Sequence, residues 1–257
     1  MVVADDRVLE LGAPAPGVRA WALRLESRPE DARIARLDAA EAAGLATMRP
    51  AAATRLLARR ALLHRVAAGA AGCPVERVHV DSSGGARRVD VPGGGWFVSA
   101  SSSDGWGLLA LADVPVGVDV EPLPGPPDAL QVSEHLLPGP EHDWIRDGGP
   151  DAALRFLRIW VRKEAVVKST GEGLRRDLRS FVVDARTPTS AVLTRGGQPL
   201  GITTSDVPLA GHVAAVALAA PCGPRRGGGS ATGWGGRPSS SRGDGLSPTG
   251  AGGGVAD

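Results

Sequence analysis

The order strand, helix, then several strands is read twice along this chain, and the two passes divide near residue 115. In the first pass, residues 18–25 pattern as a strand. Residues 31–46 and 51–71 pattern as helices, with Leu56, Leu57, Leu63 and Val66 turned inward, and Pro50 suits a helix start. Residues 75–80 read as a strand, 82–95 as a turn-rich connection, and 96–99 and 107–111 as strands around a polar turn. In the second pass, 116–121 is a strand stopped by Pro122, and 139–144 and 152–169 are helices. Strands follow at 181–183, 191–194 and 211–220. The expected fold class is α+β, built as two similar α+β halves over residues 1–115 and 116–220. Residues 221–257 fit neither half: Gly, Pro and Ser supply 22 of these 37 positions, without apolar periodicity, and a disordered tail is expected.

Charge and composition narrow the function. The net charge is +1, and the Arg-rich helix Arg49, Arg55, Arg59, Arg60 and Arg65 lacks interleaved aromatics, so no nucleic-acid partner is expected. That stripe suits phosphates, an acidic partner or plain solvent. The longest apolar run, 213–220, is too short to cross a bilayer, and the acidic N-terminus has no signal-like apolar stretch. Cys73 and Cys222 cannot alone build a disulfide framework or metal cluster, so a reduced, cytoplasmic setting is expected. The chain has 27 Arg but only 2 Lys. Both lysines, Lys163 and Lys168, fall within six residues, which suggests that a compact, mobile ammonium is wanted there.

Three stretches carry chemistry. In Gly117-Val118-Asp119-Val120-Glu121, strand alternation puts both carboxylates on one face, either as a solvated face or as hard oxygen ligands around a cation such as Mg²⁺. In Trp160-Val161-Arg162-Lys163-Glu164-Ala165-Val166-Val167-Lys168, helical spacing puts Trp160, Glu164 and Lys168 on one face. Glu164 and Lys168 there form a surface ion pair, or Glu164 joins Asp119 and Glu121 around the metal with Lys168 on a phosphate. The run Ser99-Ala100-Ser101-Ser102-Ser103 at a turn offers hydroxyls to phosphate oxygens, or is a polar hairpin tip.

Gly-Val-Asp-Val-Glu and Trp-Val-Arg-Lys-Glu-Ala-x-x-Lys, in this order and at this spacing, resemble the signature motifs of the Sfp-type 4′-phosphopantetheinyl transferase superfamily. Thr170-Gly171-Glu172-Gly173-Leu174 resembles its Gly-x-Gly-Leu turn. The resemblance covers roughly residues 15–220 and implies two α+β halves related by a pseudo-two-fold, with coenzyme A between them. It implies that Asp119, Glu121 and Glu164 bind Mg²⁺, that Glu164 and Lys168 are catalytic, and that Lys168 also binds the coenzyme A phosphates. Arg60, with Arg55 next, would face the phosphates or adenosine. Ser101 and Ser102 would lie near the 3′-phosphate.

The implied reaction moves phosphopantetheine from coenzyme A to a serine of an apo acyl or peptidyl carrier protein, releasing adenosine 3′,5′-bisphosphate. Fatty-acid, polyketide and nonribosomal-peptide carriers all present such a serine. A monomer without membrane partners is implied. The sequence departs from the family where Ser102 replaces a usual His, where His64 ends the Arg60-Ala61-Leu62-Leu63 helix motif in place of Arg, and where Glu172 replaces a basic residue. Loss of one charge-assisted bond at Ser102 predicts coenzyme A binding weaker by about 1–2 kcal/mol. A degenerate module that binds coenzyme A or a carrier protein without catalysis is the alternative, with an unrelated Mg²⁺-dependent phosphoesterase behind it.

Overall fold

The computed structural model of the chain describes residues 5–81, 86–173 and 176–220. The tail at 221–257, Leu174 of the Gly-x-Gly-Leu turn, Cys222 and residues 82–85 of the turn-rich connection lie outside the described residues.

The described residues form six α-helices and two antiparallel sheets. The first sheet contains β1 (Val8–Gly12), β2 (Val18–Arg24), β3 (His79–Asp81), β4 (Arg88–Val91), β5 (Gly94–Ser103) and β6 (Trp106–Ala112), in the order β1-β2-β6-β5-β4-β3. The second contains β7 (Val116–Pro122), β8 (Phe181–Val182), β9 (Thr189–Thr194), β10 (Pro199–Asp206) and β11 (His212–Ala219), in the order β7-β11-β10-β9-β8. The helices are α1 (Asp31–Ile34), α2 (Ala39–Leu45), α3 (Pro50–Ala71), α4 (Ala129–Leu136), α5 (Gly139–Arg146) and α6 (Ala152–Thr170).

Three apolar clusters hold this arrangement. Leu62, Leu63, Val66 and Ala67 of α3 pack on Trp21, Leu23, Leu109 and Leu111 of the first sheet. Phe156, Ile159, Ala165 and Val166 of α6 pack with Val192, Ile202 and Ala217 of the second. Between the sheets, Val116, Val118 and Val120 alternate inward along β7 against Leu108, Ala110 and Ala112 of β6. A leucine as fully buried as Leu62 or Leu109 contributes about 1.5–3 kcal/mol relative to exposure. Alternation leaves Asp119 and Glu121 on the other face of β7, where α6 packs.

Both long helices end on a left-handed glycine, Gly72 after α3 and Gly171 after α6. Their middles are pinned differently. On α6 the guanidinium of Arg162 is wholly buried. It donates to Asp206 at 2.5 and 3.0 Å, to the carbonyls of Thr187 and Pro188 at 2.7 and 3.1 Å, to Ser190 at 3.2 Å, and to the Asp184 carbonyl. The next residue, Lys163, donates to the carbonyls of Leu178 and Phe181 at 2.7 and 2.6 Å and pairs with Glu141 of α5 at 3.0 Å. Glu141 also accepts from the Val183 amide. Burial pushes the Glu141 carboxyl up to about 7 and pulls the Lys163 ammonium down. The expected mobile ammonium is therefore not Lys163, which is locked inside the fold.

Several elements differ from the sequence expectation. The helix expected at 31–46 breaks into α1 and α2, because Asp38 and Glu41 form a capping box that starts a new helix. Residues 75–77 make a 3-10 turn before the short β3, and β4 lies inside the stretch read as a turn-rich connection. The hydroxyl run is strand rather than turn: β5 continues through Ser103, and the hairpin turns at Asp104 and Gly105, both with positive φ. Elements β1, α4 and β10 were not anticipated; β10 contains Pro199 and Gly201, which mask a strand pattern.

Candidate active site

The site forms where β5, β7 and α6 meet. Strand alternation on β5 aims Ser99, Ser101 and Ser103 at β7. Ser99 accepts from the Val118 amide at 3.0 Å, Ser101 donates to Asp119 at 2.7 Å, and Ser103 donates to Glu121 at 2.9 Å. From the other side, Lys168 of α6 donates to Asp119 Oδ1 at 2.7 Å and to Ser101 at 2.9 Å. Trp160, two turns earlier, lies close enough to Glu121 to lower its carboxyl. Close approach of β7 to α6 depends on Gly117, whose missing side chain leaves room for the backbone of Ala165 and Ser169.

The electrostatics follow from this crowding. Burial raises the carboxyl of Glu164 above its usual range, and the negative charges of Asp119 and Glu121 add to the rise. Burial likewise raises Glu121, helped by Asp119 and opposed by the Ser103 hydrogen bond. Lys168 is the counter-ion that both of these glutamates feel. Among the described residues, no three His, Cys, Asp or Glu side chains are drawn together tightly enough to hold a metal ion. The donor set nevertheless fits a hard divalent cation: the ligands are all carboxylate oxygens, and the buried Oδ2 of Asp119 has no hydrogen-bond partner among the described residues.

The structure thus brings together Asp119, Glu121, Glu164, Lys168 and Ser101, and places the other candidates elsewhere. Ser102 points to the opposite face of β5, where it accepts from Arg59 of α3 at 3.3 Å. Arg60, expected to face phosphates, is buried and paired with Glu41 of α2. Arg55 is exposed near the start of α3. One residue along a helix is a rotation of about 100°, and that step separates Arg60 from Arg59. Arg59 and Arg87 are both pulled down, by burial first and then by neighbouring arginines, including Arg60. These three guanidiniums crowd around the Glu41 carboxylate, with Arg87 at 3.8 Å from it. The sequence offers Ser99 and Ser103 only within the hydroxyl run and Arg59 only within the arginine stripe, without singling them out, and gives no signal for Arg87. Reading the hydroxyl run with a period of two would have found the serines. A cavity of about 730 Å³ lined by Val8, Trp21, Arg65 and Cys73 lies away from this site, on the β1–β2 side of α3.

Comparison with known proteins points the same way. Residues 115–217, which contain Asp119, Glu121, Glu164 and Lys168, match the family model of the 4′-phosphopantetheinyl transferase superfamily. The 4′-phosphopantetheinyl transferase psf-1 of Bacillus pumilus is 27% identical over 130 residues, 50% of this chain and 55% of that protein. The 4′-phosphopantetheinyl transferase gsp of Aneurinibacillus migulanus is 27% identical over 85 residues, 33% of this chain and 35% of that protein. A 4′-phosphopantetheinyl transferase of Bacillus subtilis is 28% identical over 109 residues, 41% of this chain and 48% of that protein. The matches span about half the length of these relatives or less. Over the span 115–217, where both signature motifs face one another across β7 and α6, the chain is similar to the 4′-phosphopantetheinyl transferase superfamily.

Proposed function

We propose that this protein is a Mg²⁺-dependent 4′-phosphopantetheinyl transferase that moves phosphopantetheine from coenzyme A to a serine of an apo acyl or peptidyl carrier protein. The observation that carries this reading is the Lys168–Asp119 pair bridged by Ser101, with Glu121 and Glu164 close enough for their charges to act on one another. The two sheet-and-helix layers are read as the two halves of a pseudo-two-fold, with coenzyme A bound between them. A monomer acting in the cytoplasm, without nucleic-acid or membrane partners, completes the reading. Among the described residues, no helix is long and apolar enough to cross a membrane.

Asp119, Glu121 and Glu164 would hold Mg²⁺, whose chemistry is to neutralise pyrophosphate charge. Glu164 takes the proton of the carrier serine, and the burial that raises its carboxyl makes it a stronger base than an exposed glutamate. The serine oxygen then forms a bond to the β-phosphorus of coenzyme A. The bond from that phosphorus to the bridging oxygen breaks, and adenosine 3′,5′-bisphosphate leaves with the electron pair. Lys168 stabilises the negative charge that builds on the pyrophosphate oxygens. Arg59 and Arg87 are placed to attract the 3′-phosphate. The Arg59 bond to Ser102 returns a positive charge to the strand position from which the family histidine is missing. The expected loss of coenzyme A affinity is correspondingly smaller.

The test is intact-protein mass spectrometry of several apo carrier proteins mixed with this protein, coenzyme A and Mg²⁺. The expected result is a metal-dependent gain of one phosphopantetheine, absent for Glu164→Gln in a protein with unchanged circular dichroism. No gain on any carrier while coenzyme A still binds would overturn the transferase reading in favour of a binding module.

A further inference from the structure

The two lysines of α6 behave oppositely. Lys163 is fully enclosed and held by two carbonyls and Glu141. Lys168 is 31% exposed, and its ammonium is held at one end only, by Asp119 and Ser101. Its four-carbon stem is flexible and its charge is compact, so it can leave without disturbing the helix. While it stays, Asp119 Oδ1 is saturated by the ammonium and the Ser101 hydroxyl, and only the buried Oδ2 is without a hydrogen-bond partner among the described residues. A divalent cation approaching Asp119 therefore meets a positive charge already 2.7 Å from that carboxylate. Three carboxylates against one ammonium leave this corner with an excess of negative charge, which explains both why Lys168 is drawn in and why a divalent ion would displace it.

We propose that Lys168 is a resident counter-ion of the carboxylate cluster, which gives up Asp119 to a divalent cation and engages substrate phosphates instead. This rests on the transferase reading of the site. Cation and coenzyme A binding are then coupled. Phosphates that draw Lys168 away from Asp119 open the site to the cation, and by linkage the cation strengthens phosphate binding to the same degree. A lysine is required for this exchange. An arginine could hold Asp119 bidentately and would resist displacement.

The experiment measures Mn²⁺ binding by electron paramagnetic resonance, using the full chain at pH 7.5 and low salt, with and without coenzyme A. Wild type, Lys168→Met and Lys168→Arg are compared, and thermal melts establish that each is folded. Without coenzyme A, Lys168→Met is expected to bind Mn²⁺ about tenfold more tightly than wild type, because a competing charge has gone. Lys168→Arg is expected to bind no more tightly than wild type. Adding coenzyme A is expected to tighten Mn²⁺ binding to wild type far more than to Lys168→Met. Equal or weaker Mn²⁺ binding by folded Lys168→Met overturns the counter-ion role, while the transferase reading stands if wild type still binds Mn²⁺ with coenzyme A. Absence of Mn²⁺ binding to wild type even with saturating coenzyme A overturns both.

Discussion

Gly117→Ala tests the contact that assembles the site. An added methyl at Gly117 would lie 2.5 Å from the Ser169 amide nitrogen and 2.9 Å from the Ala165 carbonyl carbon, and nearer still to the Ala165 carbonyl oxygen. All three are backbone atoms of the last two turns of α6, so no side chain can rotate away. Restoring ordinary contact with the Ser169 nitrogen alone needs about 1 Å of separation between β7 and α6. The hydrogen bonds from Lys168 to Asp119 and Ser101, now 2.7 and 2.9 Å, do not survive such a displacement intact. Overpacking of this kind costs about 1–3 kcal/mol of stability. A 1 Å displacement of catalytic groups lowers turnover by roughly 100-fold. Urea unfolding and the rate of carrier-protein modification measure the two effects. Gly139→Ala is the control, because nothing lies within 4 Å of its added methyl. A folded Gly117→Ala protein with stability and turnover both close to wild type would show that the β7–α6 approach does not set the site.

Four further outcomes are expected. Removing either partner of the buried Lys163–Glu141 pair, as Lys163→Met or Glu141→Leu, should cost about 3–5 kcal/mol in urea unfolding, and the double variant should cost less than the sum. Because burial, with the charges of Asp119 and Glu121, raises Glu164 in the metal-free protein, its carboxyl followed by NMR without metal should titrate above the ordinary glutamate value of 4.5; titration at or below that value counts against the buried cluster. Arg59→Met should raise the KM for coenzyme A about tenfold with little change in kcat, while Ser102→His should alter KM by less than twofold, since Arg59 already charges that position. His64 is buried, its Nε2 has no hydrogen-bond partner among the described residues, and burial lowers its basicity, so the neutral ring is favoured in the fold. Stability should be lost as pH falls below its ordinary 6.5, where the unfolded chain takes the proton first, and His64→Leu should flatten that acid-side loss in thermal melts.

The parts of the site legible in the sequence were those written in a simple period. Asp119 and Glu121 two apart on a strand, and Trp160, Glu164 and Lys168 four apart on a helix, lie on the faces that their spacing assigns. The run of serines was read as a turn because hydroxyls are common in turns, yet β5 carries them in register with β6, Ser101 opposite Leu108. Propensity gave way there to the pairing partner, which the local sequence does not contain. Arg59 and Arg60 could not be told apart from spacing. Which of them meets β5 depends on how α3 rolls, and Leu62 and Leu63 settle that roll by packing on the first sheet. The break between α1 and α2 was written in Asp38 and Glu41, three residues apart, and was overlooked within a longer helical pattern.

The three alternating serines of β5 also determine what counts as a working unit. The matched segment 115–217 contains each of the acids and the lysine of the site, but Ser99, Ser101 and Ser103 lie upstream of it. A fragment beginning at residue 114 would carry the acids without the hydroxyls of Ser101 and Ser103 that bond two of them. Competence is therefore a joint property of two stretches of chain that meet along one seam. If the chain is cut between β6 and β7, turnover is expected only where the two pieces rejoin along that seam.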